Sequence, residues 1–359
     1  MSLVVCMVGT DVDPSLTAEE AGQLGMIQTV LIQIVLMGLG AGAAAAVLFA
    51  SVVSGSAFAT LLLLLASLPI LIVTLGWSHW AGLVAVATAA ACLAVVGVDF
   101  LAAFLFGIGL PAWWLGYLTL LARPVPTPDG HEWYPVGRLV LWAACINAIM
   151  VGAALLSLGT DLPGLQNALR TVLDNRLDEV VAEQLENPDD AARLVDFMLM
   201  FIPGAAAATF TLSTLLNLWL AGRIVKISGR LQRPWPRLSD IRFPAFAPAL
   251  LGAAVAGSFL PDLIGLSLSA LAASLMIAHV LLGLAVIHAL TVGLSGRGFM
   301  LGSVYAAILL FSWPVRWPLL VIGLLGMSDA LFDLRGLIAR WRGPPATPPP
   351  HPPPQAGEG

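Results

Sequence analysis

Charge is scarce in this sequence. Lys, Arg, Asp and Glu make up 10% of its 359 residues, where soluble domains carry roughly 25%. A chain this poor in charge cannot cover its own surface against water. Its 16 basic and 21 acidic residues leave a net charge of -5. No basic surface for nucleic acid exists, which sets that partner aside. Cysteine is scarcer still. Cys6, Cys92 and Cys145 form no CxxC pair, so neither a zinc site nor a disulfide framework is expected. Cys92 and Cys145 lie in apolar runs, where cysteine acts as a small hydrophobe. A GxxxxGK[ST] phosphate loop is missing, so the chain is not itself an ATPase. HExxH and GxSxG are missing too, which removes the common metalloprotease and serine-hydrolase signatures. No catalytic residue, metal or cofactor is expected. Residues 1–10 hold no Lys or Arg and only a short apolar run, so they do not read as a secretory signal.

What the sequence has is long apolar runs, with 59% of residues hydrophobic. A helix needs about 20 apolar residues to cross roughly 30 Å of hydrocarbon. Spans are expected at 26–50, 58–77, 81–98, 101–122, 139–158 and 195–221. The stretch 245–292 is long enough for two, with Pro261-Asp262 as the turn between them. The stretch 299–332 holds Trp313, Pro314, Arg316, Trp317 and Pro318 at its centre. As one helix it would leave Arg316 near mid-membrane at a cost of roughly 2.5–3.5 kcal/mol. As a hairpin, Arg316 reaches the headgroups and the tryptophans sit at the interface. The expectation is an all-α polytopic transmembrane helix bundle of about ten spans, with eight to ten allowed. Residues 1–25 read as an unstructured N-terminal extension, 26–342 as the membrane domain, and 343–359 as an extended Pro-rich tail.

Arginines orient the bundle. Arg223, Lys226, Arg230, Arg233, Arg237 and Arg242 place the basic loop 223–243 in the cytoplasm. Arg335, Arg340 and Arg342 place the C-terminus there, and an even count places the N-terminus there too. The acidic segment after the fifth span belongs outside. Within it, Leu165, Leu169, Leu173, Leu177 and Val180 mark one face of an amphipathic helix over 163–186. That helix is either a lid over an external site or a structural helix on the membrane surface. Asn187 and Pro188 open the next helix. Arg223, Lys226, Arg230 and Arg233 fall at i, i+3, i+7 and i+10, one face of a helix. That face binds anionic lipid or docks a cytoplasmic partner.

Polar residues inside the spans are few. Asn147 and Asn217 need hydrogen-bond partners in lipid; they either line a cavity or join helices. Trp113, Trp114 and Tyr117 join them as candidate lining for a substrate cavity. Asp99 is either a coupling-ion ligand or a turn residue. His279 and His288 are nine residues apart. At about 100° per step they face opposite ways, so a shared metal is not expected. Gly38, Gly42 and Ala46 form a small-residue stripe on the first span, for packing within the monomer or docking another subunit.

Several motifs carry a family resemblance. They are Gly76-Trp77-Ser78-His79-Trp80-Ala81-Gly82, Gly109-Leu110-Pro111-Ala112-Trp113-Trp114-Leu115-Gly116-Tyr117, Glu132-Trp133-Tyr134-Pro135-Val136-Gly137-Arg138, and Gly326-Met327-Ser328-Asp329-Ala330-Leu331-Phe332-Asp333-Leu334-Arg335. Over residues 26–342 the chain resembles the proteobacterial branch of the uncharacterised YybS-like family. That family is distantly similar to the substrate-binding (S) components of energy-coupling-factor vitamin transporters. The resemblance implies a multi-pass protein of a bacterial inner membrane, a small-molecule substrate entering from outside, and a coupling subunit as partner. It would make Gly38, Gly42 and Ala46 the docking stripe. The extra spans depart from the six-helix pattern of S components. The second reading is a scaffold or assembly factor that recruits a cytoplasmic partner through the basic loop. An intramembrane enzyme is the third, and the shortage of acid–base and nucleophile pairs counts against it.

Overall fold

A computed structural model describes residues 18–126, 130–176, 188–311 and 317–342. The chain is helical almost throughout, as lipid requires of any backbone that crosses it singly. Helix α1 (Ala18–Ala50) has 33 residues and is about 50 Å long at 1.5 Å per residue. It begins at Ala18, so residues 18–25, expected to be unstructured, are helical. The second span is two helices, α2 (Ala57–Leu64) and α3 (Leu68–Gly76). Helix α4 (His79–Ala94) follows, its N-terminus capped by Ser78, whose hydroxyl accepts from the Ala81 N–H at 3.3 Å. Helix α5 (Val98–Phe104), a π-helical turn (Leu105–Gly109) and α6 (Leu110–Leu120) make the fourth span. A small antiparallel ribbon, β1 (Ala122–Pro124) with β2 (His131–Trp133), pairs Arg123 with Glu132 across the strands.

Helix α7 (Val136–Leu158) returns into the bundle. Helix α8 (Leu162–Arg176) is the start of the amphipathic segment. Helix α9 (Pro188–Ile227) has 40 residues, about 60 Å. Helices α10 (Ala247–Gly257) and α11 (Asp262–Leu290) divide at the expected turn. Helices α12 (Arg297–Phe311) and α13 (Trp317–Phe332) flank residues 312–316, so the hairpin turn and Arg316 lie outside the described residues. Helix α14 (Leu334–Arg342) ends the described chain, and the tail 343–359 lies beyond it. Among the described residues, each of the ten expected spans holds helix over most of its length. Among the described residues, however, six helices are long and apolar enough to cross. Helices α4, α10, α12 and α13 have 16, 11, 15 and 16 residues, short of the usual length.

Two clusters of buried side chains organise the bundle. The first joins α1, α3, α4, α5 and α6 around Ile70, Leu71 and Phe104. The second joins α7, α10 and α11 around Leu141, Leu251 and Leu275. Helix α9 packs against α3, α7 and α11 and so bridges the two. Lipid offers no hydrophobic gain to helices that associate, so close approach through small residues matters. Gly38 and Gly42 are buried on α4, where a Cβ on Gly42 would collide with the Ala85 carbonyl and Thr88. Ala46 is buried beside them. The stripe on the first span is therefore filled by the chain's own α4. Helices α11 and α13 use the same device at Gly283 and Gly326.

A buried ion pair ties the end of the bundle where the arginines gather. Arg335 and Asp329 have side chains 7% and 3% exposed, with Nη2 2.7 Å from Oδ2. Nε donates to both carboxylate oxygens, while Nη1 and Nη2 donate to the carbonyls of Ser239 and Ile241 at 2.7 and 2.8 Å. The Arg335 N–H also donates to Oδ1. Helices α13 and α14 are thereby fastened to the segment after α9.

Candidate functional site

The second span is broken by its own sequence. Pro69 has no N–H and its ring clashes with the carbonyl four residues back, so the helix cannot run through Leu65. The chain turns at 65–67, where Leu68 N–H donates to Leu65 O at 2.9 Å. In a continuous helix that donor would serve Leu64. The Leu64 carbonyl is left for others, and α9 supplies them. Ser213 Oγ donates to it at 2.7 Å and Asn217 Nδ2 at 2.6 Å. Asn217 Nδ2 also donates to Ser67 Oγ at 2.8 Å.

The same stretch of α9 binds two more helices. Asn147 on α7 donates through Nδ2 to Thr214 Oγ1 at 3.2 Å and to its own Ala143 carbonyl at 2.8 Å. Thr211 donates to Ser274 on α11 at 3.1 Å, both fully buried. Four polar residues of α9, from Thr211 to Asn217, thus face three neighbours. A cavity of about 30 Å³ lies among them, bordered by Leu64, Ser67, Asn147, Ser213 and Thr214. Its far wall is Gly107, Ile108, Pro111 and Ala112. That wall is also irregular, because the π-helical turn sits just before Pro111; such turns accommodate a proline and recur at functional sites. The space is enough for a water and not for a metabolite. Asn217 is 1% exposed, and its Oδ1 has no hydrogen-bond partner among the described residues.

The five residues expected to line one cavity fall in two places. Asn147 borders the polar centre and Asn217 bonds into it. Trp113, Trp114 and Tyr117 are not in its lining. They pack with His79 and Trp142 as an aromatic cluster, with Trp113 and Tyr117 stacked at 6.0 Å and Trp114 edge-on to Trp142 at 5.9 Å. Trp113 Nε1 donates to the His79 carbonyl at 3.1 Å. Trp142 Nε1 donates to the Tyr134 hydroxyl at 3.1 Å, which ties the cluster to the segment just after the β-ribbon. Sequence reading found Asn217 but missed Ser213, Thr214 and Thr211. The available signal was four neutral polar residues within two turns of an otherwise apolar helix.

The basic segment differs from its expected form. Helix α9 ends at Ile227, and Gly229 takes φ +70°. Arg230 N–H donates to Val225 O and Gly229 N–H to Lys226 O, the double closure of a Schellman end. The helical face Arg223–Lys226–Arg230–Arg233 is therefore broken after Lys226. Arg223 and Lys226 lie over the Trp235 ring, at 5.4 and 5.1 Å from its centroid, and Arg230 lies over Trp77 at 4.5 Å. Arg233 turns inward. It is 9% exposed and donates from Nη1 to the Thr119 carbonyl at 3.3 Å. Burial pushes its guanidinium below the usual arginine range. Beside it lies a chamber of about 400 Å³, walled mostly by apolar side chains, among them Leu139 of α7 and Leu212, Leu215, Leu216 and Leu218 of α9, with Trp235 and Arg237 also in its lining.

Helix α8 presses Leu165 and Leu169 against Leu155, Val195, Leu199 and Leu263, and Gln166 donates to Asp196 of α9 at 2.9 Å. The side chains of Leu173, Leu177 and Val180, and Asn187, lie outside the described residues. Asp99 sits in the first turn of α5. His279 is buried, with Nδ1 2.8 Å from the Leu275 carbonyl and its ring edge-on to Phe243. His288 approaches Leu284 O and Tyr305 instead.

Apolar helices of membrane-crossing length, joined by hydrogen bonds between polar side chains, define a multi-pass helical membrane protein. Within that class, residues 43–329 match the family described as "Predicted membrane protein (DUF2232)", and the chain belongs to that family. The comparisons with curated proteins and with solved structures return no match.

Proposed function

We propose that this protein binds a small polar solute within a bacterial inner membrane and passes it across, without an ATPase of its own. The interruption of the second span carries the reading. Irregular backbone at membrane depth is tolerated where it is buried in protein or lines a polar path, and broken helices mark the solute sites of many transporters. Here the freed Leu64 carbonyl is held by two side chains of a separate helix. Those bonds can be exchanged for bonds to a solute if α2 and α3 move apart from α9. The 30 Å³ centre admits a solute only with such a movement. The arginine-rich end is taken to face the cytoplasm, and the ends of the chain with it.

The relationship to YybS-like proteins and S components belongs to the same proposal. It needs one change. With Gly38, Gly42 and Ala46 covered by α4, a coupling subunit would dock on another face. The scaffold reading has less support, because three of its four cations lie over tryptophan rings and Arg233 is buried.

The test is a thermal-stability screen of the full-length protein in mild detergent against vitamins and polar metabolites. A solute that stabilises the native chain, and no longer stabilises Asn147→Leu or Ser213→Ala, supports the reading. A screen without a hit, or a hit indifferent to both substitutions, removes it.

A further inference from the structure

The arginine-rich end holds a feature that the solute reading does not use. Arg233 is 9% exposed. Its one hydrogen bond among the described residues is to a neutral carbonyl, at 3.3 Å, and no described carboxylate pairs with it. A buried cation without an anion is unfavourable. Arg335, buried nearby, shows the usual solution with its own carboxylate. Arg233 lacks that solution within the described chain.

The surroundings say what kind of anion would fit. Arg233 and Arg237 line the 400 Å³ chamber, whose other walls include Leu139, Val140, Leu212, Leu216 and Trp219. Leu212, Leu216 and Trp219 are 52%, 53% and 55% exposed. They lie exposed on α9, a helix of membrane-crossing length, so this side of the chamber is open where lipid would run alongside. Beyond the arginines the space continues into a lobe of about 250 Å³ bordered by Gly137, Arg233, Arg237, Asp240 and Arg242. Asp240 accepts from Ser239 there, and Arg242 is engaged with Asp333. Arg237 is exposed and has no ion pair with a described carboxylate. The arrangement is a greasy slot with two guanidinium groups beside it that have no described carboxylate partner.

We infer that this chamber is a binding site for an anionic phospholipid drawn from the bilayer, its phosphate between Arg233 and Arg237 and one acyl chain along Leu212, Leu216 and Trp219. A free phosphate would leave the slot unfilled. An acidic peptide would put backbone polar groups against leucine. A lipid satisfies both ends at once, and the open side is its route of entry. The inference rests on Arg233 and the chamber, and it stands or falls apart from the solute reading.

The experiment uses the full-length protein in mild detergent, titrated with phosphatidylglycerol or phosphatidylcholine and followed by native mass spectrometry and thermal unfolding. Phosphatidylglycerol should be retained about thirtyfold more tightly, since two basic residues near a lipid surface supply roughly 1 kcal/mol each and about 1.4 kcal/mol is a decade. Arg237→Gln, on the surface, should lose part of the preference without unfolding. Arg233→Met should lose most of it, and without lipid it should be at least as stable as the native chain, because an unpaired buried charge is gone. Leu212→Trp, which fills the slot and keeps both arginines, should also lose retention. Equal retention of the two lipids overturns the inference. So does a preference that survives Arg233→Met with Arg237→Gln. An unchanged preference in Leu212→Trp, or an equal thermal shift from millimolar inorganic phosphate, shows headgroup binding alone and overturns it as well.

Discussion

Removing Asp329 while keeping Arg335 should be among the most damaging single changes in this protein. The native carboxylate accepts from Nε, Nη2 and the backbone N–H of Arg335. In Asp329→Ala the guanidinium keeps only the carbonyls of Ser239 and Ile241. Its side chain is 7% exposed, so water cannot replace the lost partner without opening the site. Breaking a buried pair from one side costs about 3–5 kcal/mol, which is two to three and a half decades in an equilibrium constant at 1.4 kcal/mol per decade. The assay is unfolding of the full-length protein in mixed micelles, followed by tryptophan fluorescence, with hydrogen exchange to locate the change. Exchange should rise first in α14 and in 238–242, the two segments that the pair joins. The double variant Asp329→Leu with Arg335→Met should recover part of the loss, because no charge is then stranded. A single-variant loss below about 1 kcal/mol, the worth of an exposed pair, would refute the reasoning.

Three further outcomes are expected. Gly42→Leu should cost about 1–3 kcal/mol by overpacking against Ala85 and Thr88, whereas Gly40→Leu, with open space around its Cβ position, should leave thermal unfolding unchanged. Asn217→Leu loses two interhelical bonds, to the Leu64 carbonyl and Ser67, and should cost about 1–1.5 kcal/mol at roughly 0.6 kcal/mol each, more than Asn147→Leu, which loses one; denaturant titration ranks the two. Asp333 is held below the usual carboxylate range by its hydrogen bond from Arg242. A depressed folded pKa means that its contribution is complete above the ordinary carboxylate range and is lost as pH falls through the lowered value. Hydrogen-exchange protection of α14 should therefore drop only at acid pH, and Arg242→Ala should weaken that dependence, leaving the smaller part that the Gly336 N–H and Arg340 supply.

The helical bundle was legible in the sequence because lipid imposes length and apolarity on every crossing, and those are properties of composition. The turn at Pro261-Asp262 could be read for the same reason, since it interrupts an apolar run with a polar pair. The break at 65–67 could not. Leucine surrounds Pro69 on both sides, so hydropathy stays high while the backbone stops being helical. Most of the polar turn of α9 was hidden by chemistry: Thr211, Ser213 and Thr214 bond to their own helix as readily as to a neighbour, and only packing decides which. The basic face was misread for want of one dihedral, as Gly229 ends the helix between Lys226 and Arg230. The Asp329–Arg335 pair was visible as two charges near the end of the last span, yet arginine there also marks the cytoplasmic side, and spacing alone does not separate an anchor from an orientation signal.

The placement of four hydroxyl and amide groups on α9 has a mechanical consequence. Within two turns, that helix grips the first half of the molecule through Ser213 and Asn217 and the second half through Thr211 and Thr214. It therefore acts as a shared axle. Rolling it to release one half drags on the other, so the two halves cannot rock independently, and whatever loosens the second span is felt as torque at Ser274, buried on α11.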